Sequence, residues 1–137
     1  MSIQTATEQL KSIMDSITYY QTTSVGLTYD FARLKENDFP LIHASISETS
    51  IDVGTTVITY EVISIDLPNE AQTDLMSKLY ATHSNLNTVI SNYINTNDGY
   101  VPQLPVSIEP LDYFVEHSAC GWRAFLSIEI SNENSVC

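Results

Sequence analysis

The stretch that most limits what this chain can fold into is "TTVITYEVISIDL", residues 55 to 67. It is dense in β-branched and aromatic residues, which suit a pleated, packed surface and predict a long strand from Thr55 to Leu67. Side chains alternate across a strand, so odd and even positions face opposite ways. Val57, Ile63 and Ile65 lie on one face; Ile58, Tyr60 and Val62 lie on the other. Both faces are apolar. The strand is therefore expected at the centre of a sheet covered on both sides, or in a contact between subunits.

The neighbouring segments give that strand its company. In "TATEQLKSIMDSITYY", Leu10, Ile13, Met14 and Ile17 recur at i, i+3, i+4 and i+7, one apolar helical stripe. Thr5 followed by Glu8 reads as a capping box. Residues 21 to 40 read as irregular, with a turn at Gly26 and Pro40 leading into something extended. Ile42, Ala44 and Ile46 then alternate with His43, Ser45 and Ser47, a strand with one polar face, and "IDVG" reads as a turn. After the long strand, Leu75, Leu79, Leu86, Ile90 and Tyr93 or Ile94 mark a second helix. Asn69 or Thr73 would cap it, and Glu70 and Asp74 suit the positive end of its dipole. Its end is signalled by "NTNDG". Prolines at 102, 105 and 110 keep "VPQLPVSIEPLDYF" extended. Finally Trp122, Ala124, Leu126, Ile128 and Ile130 point one way, and Arg123, Phe125, Ser127 and Glu129 the other.

The order helix, strand, strand, helix, strand, strand predicts an α+β fold: an antiparallel sheet of about four strands with two helices packed on one face. The 137 residues suit a single domain, expected over residues 1–131, with 132–137 a loose tail. No apolar run approaches the roughly 18 residues of a membrane span, and "MSIQTATEQLKSIMDS" has no basic start or long apolar run of a secretory signal. The chain reads as made inside the cell, with Cys120 and Cys137 as free thiols. Its formal charge of −12 argues against gripping nucleic-acid phosphates, and the five basic residues form no patch along the sequence.

Signals for chemistry are thin. The four glycines, Gly26, Gly54, Gly99 and Gly121, lie too far apart for a phosphate-cradling loop. His117 and Cys120, with His43 or His83, fall short of the paired motifs that structural zinc sites use. Glu109 with Asp112, or Asp66 with Glu70, are carboxylate pairs of a kind expected by chance among seventeen acidic residues. Trp122 reads as core or as an anchor in a subunit contact. Arg123 faces the other way and would pair with Glu109 or Glu116. No cofactor or metal is expected, and the pattern suits an assembly unit better than an enzyme.

The succession "YEVISIDLPNE…TDLMSKLYATHSNLNTVISNYI…VSIEPLDYFVEHSACGWRAFLSIEI" resembles a group of small structural proteins of tailed bacteriophages. A strand running into Asp66–Leu67 is followed by a helix with Asp74, Leu86 and Ile90 at helical spacing. Next come a strand ending Glu109–Pro110, a linker with Tyr113 and Phe114, and Gly121–Trp122 opening alternating apolar residues through Ile130. The likeness spans roughly residues 39 to 131; the spacer with His117 and Cys120 before Gly121 departs from it.

The resemblance implies a tail-terminator-like fold and a ring, commonly a hexamer of the chain with itself, at the head-tail junction of the virion, assembled in the host bacterial cytoplasm. Its partners would be the tail tube protein and the neck, connector or stopper protein, with genome DNA passing through without specific binding. On that reading Ile58, Tyr60, Val62, Tyr113, Phe114 and Trp122 are candidate contacts between protomers. Asp112 and Glu116 are candidate channel carboxylates on a loop, where acidity would let DNA slide. The alternatives are another head- or tail-completion protein of similar fold, or a host ligand-binding or enzymatic α+β domain.

Overall fold

A computed structural model describes residues 1–26, 36–96, 99–111 and 119–131. The elements run α1 (Ile3–Asp15), β1 (Thr22–Gly26), a short 3-10 turn (Glu36–Asp38), β2 (Leu41–Asp52), β3 (Thr55–Asp66), α2 (Leu75–Thr96), β4 (Tyr100–Pro102), β5 (Ser107–Leu111) and β6 (Cys120–Ser131). The fold is α+β, with a six-stranded mixed sheet in the order β1-β2-β3-β6-β4, and β5 also pairing with β6. No helix among the described residues is long and apolar enough to cross a membrane.

The sheet differs from the expected one in two places. Thr22–Gly26, expected as irregular, forms β1 and pairs parallel to Leu41–Ser45 of β2. An edge strand buries little, so "TTSVG" needs no apolar alternation and left no periodic signal. The proline-containing extended segment divides in two. β4 pairs with Ile128–Ile130 and β5 with Gly121–Phe125, both antiparallel to β6. Between them the Gln103 backbone N–H donates to the Ser127 carbonyl at 2.9 Å. The long strand is central, as expected: β3 pairs antiparallel with β2 on one side and β6 on the other.

Both helices lie on one face. Ala6, Leu10 and Met14 of α1 and Leu86, Val89, Ile90 and Tyr93 of α2 pack into one core with Ile58, Tyr60 and Val62 of β3 and Ala124, Leu126 and Ile128 of β6. The register explains the grouping: Ile58 sits opposite Ile128, Tyr60 opposite Leu126, and Val62 opposite Ala124. The buried tyrosines place their hydroxyls on backbone or side-chain oxygens. Tyr93 donates to the Ala6 carbonyl at 3.0 Å, and Tyr60 meets the Thr7 hydroxyl at 2.8 Å. Each such bond contributes about 0.5–1.5 kcal/mol net, but leaving a hydroxyl unpartnered in this core would cost more.

A second, smaller cluster lies on the other face at one end of the sheet: Phe39, Leu41, Ile63, Ile65 and Ala119, with Leu67 and Leu111 against them. β3 is thus covered on both faces only over its last turn of pleats. Capping also departs from expectation. Ser2, not Thr5, is the N-cap of α1, its hydroxyl accepting from the Thr5 N–H at 3.1 Å. Lys11 bonds Asp15 at 2.6 and 2.8 Å, and Thr23 of β1 donates to the same carboxylate. Those two bonds, Lys11 first, hold the Asp15 carboxyl below its usual range and lash the end of α1 to β1.

Candidate functional site

Besides the exposed Met76 and Tyr80 on α2 and Val101 and Leu104 around β4, three regions gather polar or exposed groups. The first lies where β3 ends. Asp66 is buried, and its carboxylate accepts from the Tyr19 hydroxyl at 2.9 Å and from the Leu67 N–H at 2.7 Å. Lys78 of α2 completes an ion pair with it at 3.2 Å. Cys120 is directly opposite Asp66 in the β3–β6 register and is a free, buried thiol. Burial, with Asp66 and Asp74 adding their charge, pushes that thiol up to about 11. Burial and the same Asp66 raise the Tyr19 hydroxyl as well. A thiol held protonated is a poor nucleophile and a poor metal ligand. The cluster joins the segment after α1, the end of β3, the start of α2 and the start of β6. Its groups are spent on one another, which makes it a clasp.

The second region is the face of the sheet without helices. Beyond the small apolar cluster this face is mostly polar, with Val57 and Phe125 set among polar groups. Thr59 and Ser127 share a hydrogen bond of 2.8 Å across β3 and β6. Arg123 donates through Nε to Glu109 of β5 at 2.9 Å and stands over the Phe125 ring, 5.4 Å from its centroid. Glu61 and Glu129 lie on the same face, opposite Phe125 and Val57 respectively. The Arg123–Glu109 pairing expected from the sequence is present; Glu116 lies outside the described residues.

The third region is the far half of β2. β1 covers this strand only to Ser45. Past it, Ile46 is 37% exposed, Ile51 75% and Val53, at the hairpin tip, 97%. Gly54 makes that tip with φ 82°, a left-handed backbone that favours glycine. Near β4, an open groove of about 390 Å³ is lined by Thr55, Tyr100, Val101, Ile130 and one carboxylate, Glu129.

The candidate residues fall differently from expectation. Ile58, Tyr60 and Val62, expected as a protomer contact, are fully buried beneath the helices and offer nothing to a neighbour in this fold. The reason is the register, which sets them opposite the apolar side of β6 and under both helical stripes. Trp122 is half-buried against the core: its indole N–H donates to the Leu79 carbonyl at 2.8 Å, and its ring meets His83 edge-on at 4.8 Å. Tyr113, Phe114, Asp112, Glu116 and His117 lie outside the described residues, as does the 132–137 segment. His43 is buried on β2 with its Nδ1 2.7 Å from the Ser24 hydroxyl, and His83 is exposed on α2. Among the described residues no three His, Cys, Asp or Glu side chains are grouped to hold a metal ion. The sequence names Asp66 only as a chance pair with Glu70 and as the end of the long strand; no motif points to its clasp with Tyr19, Lys78 and Cys120. The one signal was an acid closing an apolar strand just before Leu67–Pro68.

No protein-family model and no curated protein matches this chain.

Proposed function

We propose that this chain is a structural protein of a tailed-bacteriophage virion, a ring subunit at the head-tail junction that caps the tail tube and joins it to the neck. The role is architectural, with no catalytic step. What carries the reading is the uneven cover of one sheet: a clasped, helix-covered half beside a polar face and a strand edge that expose Ile46, Ile51, Val53 and Phe125. Ile46, Ile51 and Val53 follow one another on β2 and its hairpin tip, and a contiguous exposed apolar row rimmed by polar groups marks an interaction surface; Phe125 stands apart on the other face. The ordered succession from Tyr60 to Ile130 supplies the kind of assembly. A closed ring joins one face of each protomer to a different face of the next. The polar sheet face and the β4–β5 edge are the proposed protomer surfaces, replacing Ile58, Tyr60 and Val62.

The acidity fits the same reading. The three side-chain cations among the described residues, Lys11, Lys78 and Arg123, are each tied to a carboxylate of the same chain. A channel built from such copies would present net negative charge to DNA, with none of the described side-chain cations free to hold it. Sedimentation velocity with electron microscopy of purified protein, alone and with tail tube protein, tests the assembly. Closed rings that sit on tube ends support it. A protein that stays monomeric with tubes present, and whose melting shifts with a small ligand, would favour the host-domain alternative instead. For the channel, Asp112→Lys with Glu116→Lys is expected to slow DNA ejection at low salt and to lose that effect as salt screens it.

A further inference from the structure

We propose that the outer edge of β2, from Ile46 to Asp52, is a docking strand for an extended basic segment of a different protein, which adds to the sheet as one more strand. This rests on the assembly reading only in expecting a protein neighbour, and it names that neighbour's chemistry.

The inner edge of β2 is paired along its length with β3. Its outer edge is paired by β1 over Leu41–Ser45 only, and residues 47–53 are all exposed. Among the described strands, the outward N–H and C=O groups of this stretch have no partner strand, which is the template that strand addition uses. A bulge sits where the cover ends: the register slips between Ile46 and Glu48, and the Ser47 hydroxyl donates to the Thr59 carbonyl at 3.3 Å. A bulge adds one residue and so reverses the alternation beyond it. Ile46 lies opposite Tyr60 and Ile51 opposite Thr56, both even positions of β3, so Ile51 stays on the helix-bearing face. Without the slip it would point to the polar face. The apolar row of the core therefore runs on past the helices through Ile46 and Ile51 to the tip at Val53.

Charge decides the occupant. Glu48 and Asp52 stand on this exposed stretch, and among the described residues no cation is left over to face them, since Lys11, Lys78 and Arg123 are paired elsewhere; Arg33 and Lys35 lie outside the described residues. A second copy of β2 laid alongside would bring the same carboxylates and the same bulge, two devices that blunt an edge against its own kind. A strand of Lys or Arg alternating with Val or Ile meets both demands: apolar groups beside Ile46 and Ile51, cations beside Glu48 and Asp52. Main-chain bonds would supply affinity and the acids selectivity.

The test uses the full chain, 15N-labelled, titrated with synthetic octapeptides that alternate Val with Lys or Val with Glu. Saturable amide shifts confined to residues 46–52 are expected with the Lys peptide only. A Lys peptide N-methylated at alternate amides on its pairing edge should not bind. Glu48→Lys with Asp52→Lys, both exposed, should weaken the Lys peptide about tenfold or more and admit the Glu peptide. Circular dichroism checks that the variant folds. Equal response to both peptides, binding by the methylated peptide, or shifts elsewhere would overturn the proposal. Concentration-dependent broadening of the same amides without peptide would assign the edge to a second copy, and amide exchange at 46–52 that is slow in the free chain and speeds up on Arg33→Glu with Lys35→Glu would assign it to this chain's own residues 27–35; either overturns the proposal. Ring formation by this variant, read separately by sedimentation, reports on the assembly reading whatever the peptides do.

Discussion

Leu126 and Phe125 are neighbours in β6, similar in bulk and in apolar character. Leu126 is fully buried opposite Tyr60 beneath the helices; Phe125 is 37% exposed opposite Glu61, with Arg123 beside its ring. One peptide step separates the packed face of the sheet from its open face. The contrast holds along the strand, with Ala124, Ile128 and Ile130 buried and Arg123, Ser127 and Glu129 only half-covered. Stability is thus written on alternate residues of the strand, and the proposed association would use the residues between them. The packed face can be changed only at a cost to folding, and the open face can be changed with little cost to it.

The sharpest way to break this comparison is to truncate both residues. Leu126→Ala leaves a cavity among Tyr60, α1 and α2 side chains, and should cost about 2–5 kcal/mol in urea denaturation of the monomer. Phe125→Ala should stay within about 0.5 kcal/mol, as surface changes do. If the two losses are comparable, the open face is covered in solution and the comparison fails.

A smaller effect is expected at Gly121, where the two faces meet the end of the sheet. A Cβ there would stand 2.0 Å from the Ser64 carbonyl oxygen and 2.8 Å from the Ile65 Cα, both backbone atoms of β3. The strands must part to admit it. Gly121→Ala should destabilise by about 1–3 kcal/mol, in the range of overpacked cores. It should also loosen Cys120, so in a Cys137→Ser background a thiol reagent that leaves the buried Cys120 untouched should modify it once Gly121 is replaced by Ala. An unreactive thiol in that variant would place the strain elsewhere.

How much of this is legible in the sequence depends on periodicity. The stripes of α1 and α2 and the alternation of β3 and β6 were readable because burial on one side imposes a repeat. β1 was missed because a short edge strand is under no such constraint, and β4 and β5 were read as one extended run because prolines forbid helix without saying where pairing breaks. The error at Ile58, Tyr60 and Val62 has a different source. A strand apolar on both faces does not say which face the helices cover. That is fixed by the register with β6, a long-range fact: the odd side of β3 meets Phe39 and Leu41 at one end and solvent at the other. The Asp66 clasp draws Tyr19, Lys78 and Cys120 from three separate segments, and no local spacing encodes such a meeting.

Alkaline pH separates the clasp from the open face without mutation. In the unfolded chain the Cys120 thiol ionises near its ordinary 9.0; in the folded chain burial and the Asp66 and Asp74 charges hold it to about 11. Between those values the unfolded state sheds a proton that the folded state keeps. The contribution is intact below pH 9 and is lost as pH rises to 11. Tyr19, Tyr20 and Tyr93, all raised chiefly by burial, extend the loss upward from their ordinary 10.0. Urea midpoints should fall from pH 9 onward, and Cys120→Ala should flatten the first part of that fall. A midpoint steady to pH 11 in the parent protein would show that the clasp opens to water.

The smallest expected effect is the most informative about assembly. Arg123 and Glu109 have side chains 35% and 50% exposed, so in the isolated chain water screens their attraction. A double-mutant cycle with Arg123→Met and Glu109→Gln should give a coupling of about 0.2–1 kcal/mol, as exposed pairs do. Raising the salt to about 0.5 M should shrink it further, since the screening length then falls to a few ångströms. The same cycle in assembled rings need not agree. If protomers meet through this polar face, the pair leaves water, its desolvation must be offset by better geometry, and removing one partner leaves the other buried and uncompensated. The single variants should then each weaken ring assembly far more than they weaken the monomer, and salt should matter less. Identical couplings in monomer and ring would mean that the open face stays wet after assembly, and the protomer contact would have to be sought at the β4–β5 edge.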